Sequence, residues 1–433
     1  MRKAARRIVE KLRLHGQEAF FAGGWVRDFL LHRKPKDIDI ATSALPDEVL
    51  RLFPNSRAIG AQFGVVQVFL YGRAYEVATF RSDLGYADGR HPSAVTFSGP
   101  EQDALRRDFT INGLFYDPIG NRLIDYVHGK ADIQKKLIRT IGDPGARFAE
   151  DKLRMLRALR FSCDLEFEIS SETWAAIQQL APEILQISRE RTRDELTKLF
   201  TGPAPEKAFD LLLASGLMQH ILPEIAATRE TPLDRDVFTQ TRDALARLRK
   251  PSPALAFATL LHDVGKTGEC AADEPACFSQ HAMESAKISE EIGRRLRMSN
   301  DEIGQIVDLV AAHEDFMHID EIRESARRRL MRKPKIADHL ELLRVNSLSS
   351  RRSLKVYSDC LGKLKEYSRE MAPLIGGEDL IEMGYSPGPL IGEILRAVED
   401  LQLDGALRTR EEALLHVKAS YNSENKAQPK SGD

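Results

Sequence analysis

Cysteine is scarce in this chain: four in 433 residues, at Cys163, Cys270, Cys277 and Cys360. They are too scattered for a disulfide framework, so a reducing cytoplasm is the expected compartment. Cys270 and Cys277 could meet in a loop, but no zinc or redox role is assigned to them. Long apolar runs are also missing. The stretch around Leu255 to Leu261 is among the longest, and it is too short to span a bilayer, so no membrane association is expected. The first residues, MRKAARRIVEKLRLHG, are basic, are interrupted by Glu10 and lack the apolar core and cleavage site of a signal peptide. They read as an amphipathic first helix. Neither charge sign dominates, with 63 basic and 65 acidic residues. That excludes a uniformly basic nucleic-acid coat and leaves room for a local basic groove, since phosphate contacts need only a few Arg and Lys.

The length suffices for two to four domains. Residues 1–145 hold nearly all the strand-like signal. FFAGG, DIDIAT, GVVQVFLYG, RAYEVATFR and NRLIDYV are short β-branched or aromatic segments bounded by turn residues. Helical stretches follow Gly24 and cover PDEVLRLF, where Pro46 fits a first helical turn. From Phe148 to about Val417 almost every segment has helical periodicity, without a repeat of constant period. The stretch NSENKAQPKSGD is polar and expected to be disordered.

The run KPKDIDIAT alternates polar and apolar residues. In a strand, residues two apart share a side, so Asp37 and Asp39 face together while Ile38 and Ile40 face the core. Two convergent carboxylates repel unless a cation lies between them, and hard oxygen ligands on one face suit Mg²⁺. About a dozen residues earlier stands GGWVRDFLL. The double glycine Gly23-Gly24 at a strand-to-helix turn allows backbone N–H groups to approach a phosphate, and Arg27 one turn on can reach the same group. Glu76, in AYEVATF, is a third strand carboxylate and a candidate additional metal ligand. An exposed strand carrying solvated acids is the plain alternative for these residues taken singly.

GGWVRD followed by DID resembles the nucleotidyltransferases of the DNA polymerase β superfamily. The fuller motif set resembles the class II tRNA nucleotidyltransferases (CCA-adding enzymes) and their bacterial poly(A) polymerase relatives, from about Phe20 to about Val417. The resemblance implies an α+β fold. A small-sheet, polymerase β-like nucleotidyltransferase head spans 1–145. An all-helical neck (146–225), body (226–360) and tail (361–420) follow, and 421–433 form a disordered end.

Within RRDFTIN, Arg107 can pair with a triphosphate and Asp108 can accept from a ribose 2′-OH, which the resemblance makes the segment's role. IDYVHGKADI, with Asp125, Gly129 and Asp132, resembles the family's structural connection out of the head. In EDKLRMLRALRF, Asp151 and Arg154 are three apart and so share a helix face, and Glu150 and Arg154 form an i,i+4 pair. Asp151 can accept from the exocyclic amine of cytosine or adenine, and Arg154 can donate to the adjacent ring nitrogen. Uracil and guanine place an oxygen where Asp151 needs a donor. The resemblance turns this salt-bridged helix into the expected base selector, with Arg157 and Arg160 holding triphosphate or RNA phosphate. Glu190, Arg191 and Glu195 in ISRERTRDEL are expected to brace that helix. FRSDLGYADGRHPSAVTF resembles the family's flexible loop, with Asp88 and Arg90. Its presence argues for A addition.

LLHDVGK carries His262 and Asp263 and is the signature of an HD-type metal phosphohydrolase domain, to which His281 and His313 could add ligands. Two further positions of that pattern hold Gln240 and Asn346, which are poor ligands. With His262 and Asp263 alone, the domain is expected to be a degenerate scaffold. The basic run RESARRRLMRKPK is a candidate tRNA-backbone contact or a solvated helix face. The expected function is addition of C, C and A to tRNA from CTP and ATP. An A-adding enzyme, a poly(A) polymerase, an HD phosphohydrolase and an RNA-binding protein that lost catalysis are the alternatives.

Overall fold

The computed structural model describes residues 1–60, 64–86, 92–230, 237–266, 275–367 and 372–421. Two compact units emerge, Met1–Glu230 with Ile292–Ser299, and Thr231–Glu291 with Asn300–Asp433. A head–neck division at 145 therefore falls inside the first unit, while the neck–body division at 225 lies near a unit boundary. Asp88 and Arg90 of the loop, Cys270, the side chain of Cys277, and residues 422–433 lie outside what is described.

The first unit begins with α1 (Arg2–Leu14), whose Ala4, Ala5, Ile8, Val9 and Leu12 form one buried stripe at helical spacing. A seven-stranded sheet follows. Its strands are β1 (Ala19–Ala22), β2 (Asp39–Thr42), β3 (Ser56–Gly60), β4 (Val65–Leu70), β5 (Arg73–Thr79), β8 (Leu114–Asp117) and β9 (Arg122–Asp125). The order is β3-β4-β5-β2-β1-β8-β9. β1 is antiparallel to both β2 and β8, and β2 runs parallel to β5 with Ile40 opposite Val77. β6 (Arg81–Tyr86) and β7 (Pro92–Phe97) form a separate antiparallel hairpin. Phe20, Phe80 and Phe115 meet in the core beneath the sheet.

Short helices join the strands: α2 (Gly24–Leu30), α3 (Pro46–Leu52), α4 (Pro100–Leu105) and α5 (Gly129–Gln134). Pro46 opens α3 as expected, its missing N–H being one that a first turn leaves unbonded anyway. The connection out of the sheet is built on polar contacts, one of them fully buried. Asp125 accepts from the N–H groups of Val127, Gly129 and Lys130. Thr110 donates to buried Asp132 at 2.7 Å.

The helical part of this unit contains α6 (Pro144–Glu150), α7 (Leu153–Leu165), α8 (Ser171–Leu180), α9 (Arg189–Phe200), α10 (Pro205–Ala214), α11 (Leu217–Ile221) and α12 (Pro223–Ala227). A two-residue parallel ladder joins β10 (Leu137–Ile138) to β11 (Glu168–Ile169). One expectation is corrected here. EDKLRMLRALRF is not a continuous helix, because α6 stops at Glu150 and Asp151 is extended, with φ −148° and ψ 102°. Its carboxylate accepts the Leu153 N–H at 3.1 Å. Asp side chains compete for backbone donors and favour helix ends over interiors.

The second unit is helical: α13 (Val237–Ala246), α14 (Pro253–Leu261), α15 (Pro275–Arg295, of which the residues from Ile292 on count with the first unit), α16 (Asn300–Met317), α17 (Glu324–Met331), α18 (Ile336–Ser349), α19 (Lys355–Tyr367), α20 (Gly377–Glu382), α21 (Pro389–Leu403) and α22 (Arg410–Ser420). Among the described residues no helix is long and apolar enough to cross a membrane.

Candidate active site

A cavity of about 550 Å³ opens in the first unit, lined by seven arginines and four aspartates. The excess of cations suits a polyanion. Asp37 and Asp39 both line it. β2 begins at Asp39, so Asp37 stands two residues before the strand, yet the alternation holds, with Ile38 and Ile40 buried between and after them. Parallel pairing of β2 with β5 sets Glu76 beside Asp39, although Glu76 does not line the cavity. Burial, then the charges of Asp37 and Glu76, push the Asp39 carboxyl up to about 6, against the opposing pull of Arg107. Such crowding of carboxylates is the condition a cation would relieve.

Gly23 and Gly24 form the adjoining rim. Gly23 has φ +64°, and a Cβ there would meet Arg107 Nη1 at 3.2 Å and Asp39 Oδ2 at 3.8 Å. The turn therefore requires glycine both for its backbone and for the space it leaves between a carboxylate and a guanidinium. Arg27, on α2, donates to Asn112 Oδ1 at 2.8 Å and pairs with Asp28 at 2.7 Å, which holds it against the cavity.

Arg107 is bracketed by Asp103, whose buried carboxylate also takes Arg106. Asp108 is engaged by three groups. Its Oδ1 accepts from Phe109 N–H and Asn112 Nδ2, and its Oδ2 accepts twice from Arg157, at 3.0 and 2.5 Å. Burial would raise the Asp108 carboxyl, but Arg157, Asn112 and the Phe109 N–H outweigh it and hold it at about 2. All four acceptor directions of this carboxylate are thus used, and a ribose hydroxyl would have to share or displace one of them.

Asp151 and Arg154 face the same cavity from the break between α6 and α7. Arg154 is only 9% exposed and donates to Glu150 at 2.6 Å and to the Arg147 carbonyl at 3.0 Å. Asp151 receives Arg191 at 2.7 Å. Arg160 is held by Glu195 at 2.7 Å and by Asp164 at 3.3 Å. Arg191 and Glu195 on α9 therefore brace the α7 region, while Glu190 pairs with Arg297 instead.

Sequence reasoning missed Asp103, Asn112, Arg81 and Phe161. The Asp103 signal was present, an acid three and four residues before two arginines at a helix end. Phe161 closes one wall with its ring 5.2 Å from Arg27, 5.3 Å from Arg157 and 4.4 Å from Arg160. Nothing local in the sequence marks that convergence.

Residues 19–139 match the family described as the poly A polymerase head domain, and residues 166–228 match a probable RNA- and SrmB-binding site of polymerase A. Residues 276–417 match a putative tRNA nucleotidyltransferase domain 2. A CCA-adding enzyme of Geobacillus thermodenitrificans is 47% identical over 224 residues, 52% of this chain and 55% of that enzyme, so the match spans about half of the relative's length. A CCA-adding enzyme of Streptococcus gordonii is 32% identical over 419 residues, 94% of each chain. The chain belongs to the family of CCA-adding enzymes. The crystal structure of the Bacillus stearothermophilus CCA-adding enzyme in complex with CTP agrees with it at a TM-score of 0.77 and 29% identity, covering 96% of this chain and 98% of that one.

In this member of the CCA-adding enzyme family, His262 and Asp263 belong to the second unit and do not line the nucleotide-sized cavity. Both are buried just after α14, and His281 and His313 approach Asp263. The basic run at 323–335 spends most of its cations internally. Arg328 pairs with Glu324 and Glu366, Arg329 with Glu399 and Asp400, and Lys333 with Asp308. Arg327 donates to three backbone carbonyls.

Proposed function

We propose that this chain adds C, C and A in turn to the 3′ end of tRNA, from CTP and ATP, by attack of the terminal 3′-OH on the α-phosphate with loss of pyrophosphate. The observation that carries the reading is one cavity lined by the Asp37–Asp39 pair, a group of arginines and the Asp151–Arg154 pair. Its volume is that of a small-molecule site. The CTP bound by the Bacillus stearothermophilus relative supports the substrate class.

Asp37 and Asp39, with Glu76 alongside, would hold Mg²⁺, for which an all-oxygen donor set on one face is the fitting chemistry. Bound there, Mg²⁺ would lower the pKa of the attacking hydroxyl and neutralise charge developing on phosphate. Arg27, Arg107, Arg157 and Arg160, with the Gly23-Gly24 turn, would orient the triphosphate, and Asp108 would contact the ribose. Asp151 would accept from the exocyclic amine of cytosine or adenine while Arg154 donates to the neighbouring ring nitrogen. The protein itself then stands in for a nucleic-acid template. Uracil or guanine would leave buried polar groups unpaired, a penalty of several kcal/mol in order of magnitude.

A reducing cytoplasm goes with this reading. Cys163 and Cys360 are free and buried, and burial pushes their thiols up to about 12 and about 11, which keeps them unreactive.

The deciding experiment incubates purified protein with tRNA ending before CCA, tRNA-C and tRNA-CC, each with labelled CTP or ATP. C addition to the first two and A addition to the third is the expected result. ATP incorporation into tRNA-CC alone would mean an A-adding enzyme, and long A tracts a poly(A) polymerase. No incorporation at all would sink the assignment.

A further inference from the structure

Four side chains in the second unit aim their ligand atoms at one another. Asp263 follows α14, His281 lies on α15, and His313 and Glu314 are consecutive on α16. Asp263 Oδ1 is 3.7 Å from His281 Nε2 and 3.5 Å from His313 Nε2. Glu314 Oε1 is 3.3 Å from His281 Nε2 and 3.4 Å from His313 Nε2. All four atoms fall within 4.8 Å of one another. The residues are buried, Asp263 to 1% exposure and His313 to 3%.

The hydrogen positions make this arrangement informative. His313 Nδ1 lies 2.6 Å from the Val310 carbonyl. A carbonyl only accepts, so Nδ1 carries the hydrogen, and in the neutral ring Nε2 presents a lone pair. Asp263 Oδ2 takes Lys266 Nζ at 2.8 Å, which leaves Oδ1 facing inward. Among the described residues neither Asp263 Oδ1 nor His313 Nε2 has a hydrogen-bond partner. A neutral His313 thus turns its Nε2 lone pair toward two carboxylates, and that crowding in the interior is relieved either by a proton on Nε2 or by a bound cation. The four separations, 3.3 to 3.7 Å, also fit an ion. A tetrahedron with metal–ligand bonds of about 2.0–2.2 Å has edges of roughly 3.3–3.6 Å.

We propose that Asp263, His281, His313 and Glu314 hold one divalent first-row transition-metal ion, of which Zn²⁺ is the type, in a closed structural site. Two imidazoles in the donor set select against Mg²⁺, which prefers six oxygens. Four protein donors and near-complete burial leave no open position for water or substrate, so the ion ties the end of α14 to α15 and α16 and does not hydrolyse phosphoesters. The HD-type pattern has lost two ligands, their places taken by Gln240 and Asn346, and His262 and Asp263 alone make a poor site. Glu314, which that pattern does not include, completes a different one. This inference is independent of the substrate proposed for the first unit.

The test uses the full chain carrying Asp39→Asn, to weaken the carboxylate site of the sheet. The protein is stripped with a chelator and titrated with Zn²⁺ or Co²⁺. One equivalent should bind, the Co²⁺ form should show four-coordinate d–d absorption, and the melting temperature should rise on loading and fall on stripping. Glu314→Gln and His281→Gln should each weaken uptake by about 100-fold or more, since even loss of an outer hydrogen-bond partner costs 10–100-fold. Circular dichroism of each variant separates misfolding from lost ligation. Failure of the parent to take up either ion would overturn the proposal, as it would if His313 is instead an imidazolium between two carboxylates. Undiminished uptake in both folded variants would overturn it too. Metal-dependent p-nitrophenyl phosphate turnover lost in His262→Ala would refute the closed site.

Discussion

Arg157 donates from both Nε and Nη2 to a single oxygen of Asp108, across 49 residues of sequence. The pair joins the segment just before residues 110–112 to α7, so the part of the cavity proposed to hold ribose and phosphate is tied to the helix that carries the proposed base reader. Asp108 is 11% exposed and Arg157 32%.

Removing the cation from this pair tests what it contributes. The Asp108 carboxyl is held at about 2, below its ordinary value of 3.8, so its contribution is present above about pH 4 and is lost as pH falls from about 4 to about 2. Arg157→Ala should destabilise the protein by about 2–3 kcal/mol at pH 7. That is less than the usual cost of breaking a fully buried pair, because Arg157 is partly exposed. Thermal melts of parent and variant should converge near pH 2–3. Adding Asp108→Asn to the variant should recover part of the loss at pH 7. A pH-independent gap between parent and variant would contradict the pairing argument.

Asp39→Asn should reduce nucleotide addition to background while leaving tRNA binding by filter or gel shift nearly unchanged. It should also stabilise the metal-free protein. The Asp39 carboxyl sits at about 6, above its ordinary 3.8, so the charged form is disfavoured by folding and the penalty grows as pH rises from about 4 through 6. A displacement of that size corresponds to roughly 3 kcal/mol at most. Melts without metal at pH 8 should show the variant higher, with the gap closing toward pH 4. Equal stability at pH 8 would mean that the carboxylates do not crowd.

Arg154→Ala should relax base choice more than it weakens triphosphate binding. Discrimination of CTP against UTP, measured as the ratio of kcat/KM on tRNA-C, should drop by about 10- to 100-fold, the range expected when a polar reader is removed. Robust specificity in the variant would move base selection elsewhere in the cavity.

Gly129→Ala probes the connection out of the sheet. A Cβ at this position would lie 2.1 Å from the Thr110 carbonyl oxygen, which is backbone and cannot swing aside. Denaturant unfolding should show a loss of about 3 kcal/mol or more, above the ordinary range for overpacking by one methyl. A change below about 1 kcal/mol would show that the turn at 110–112 yields.

Which residues line the cavity was legible wherever it rested on local pattern. DID announced itself by alternation, and Asp37 and Asp39 line the cavity while Ile38 and Ile40 are buried. The double glycine and Arg27 were legible for the same reason, whereas Arg107 and Arg154 were singled out by the resemblance of their motifs to the family. Two misreadings have physical causes. Asp151 was placed within a helix because i,i+3 spacing does not reveal that a short acid can take a backbone N–H and end one. β8 was missed because it is buried on both faces and only four residues long, so it shows no alternation.

By itself the sequence determined the kinds of side chain, their local spacing and the change from strand-rich to helical character near residue 145, because periodicity and turn chemistry act over a few residues. Only the tertiary structure decided the partners: Asp108 with Arg157, Asp151 with Arg191, Arg160 with Glu195, and Asp263 with His281, His313 and Glu314. An ionised or ligating group is compatible with many oppositely charged groups along a chain. Which one it meets depends on how distant elements pack, and burial then makes that meeting energetically decisive. The Asp37–Asp39 pair shows both halves, since its shared orientation is local while its crowding by Glu76 exists only because β5 lies parallel to β2.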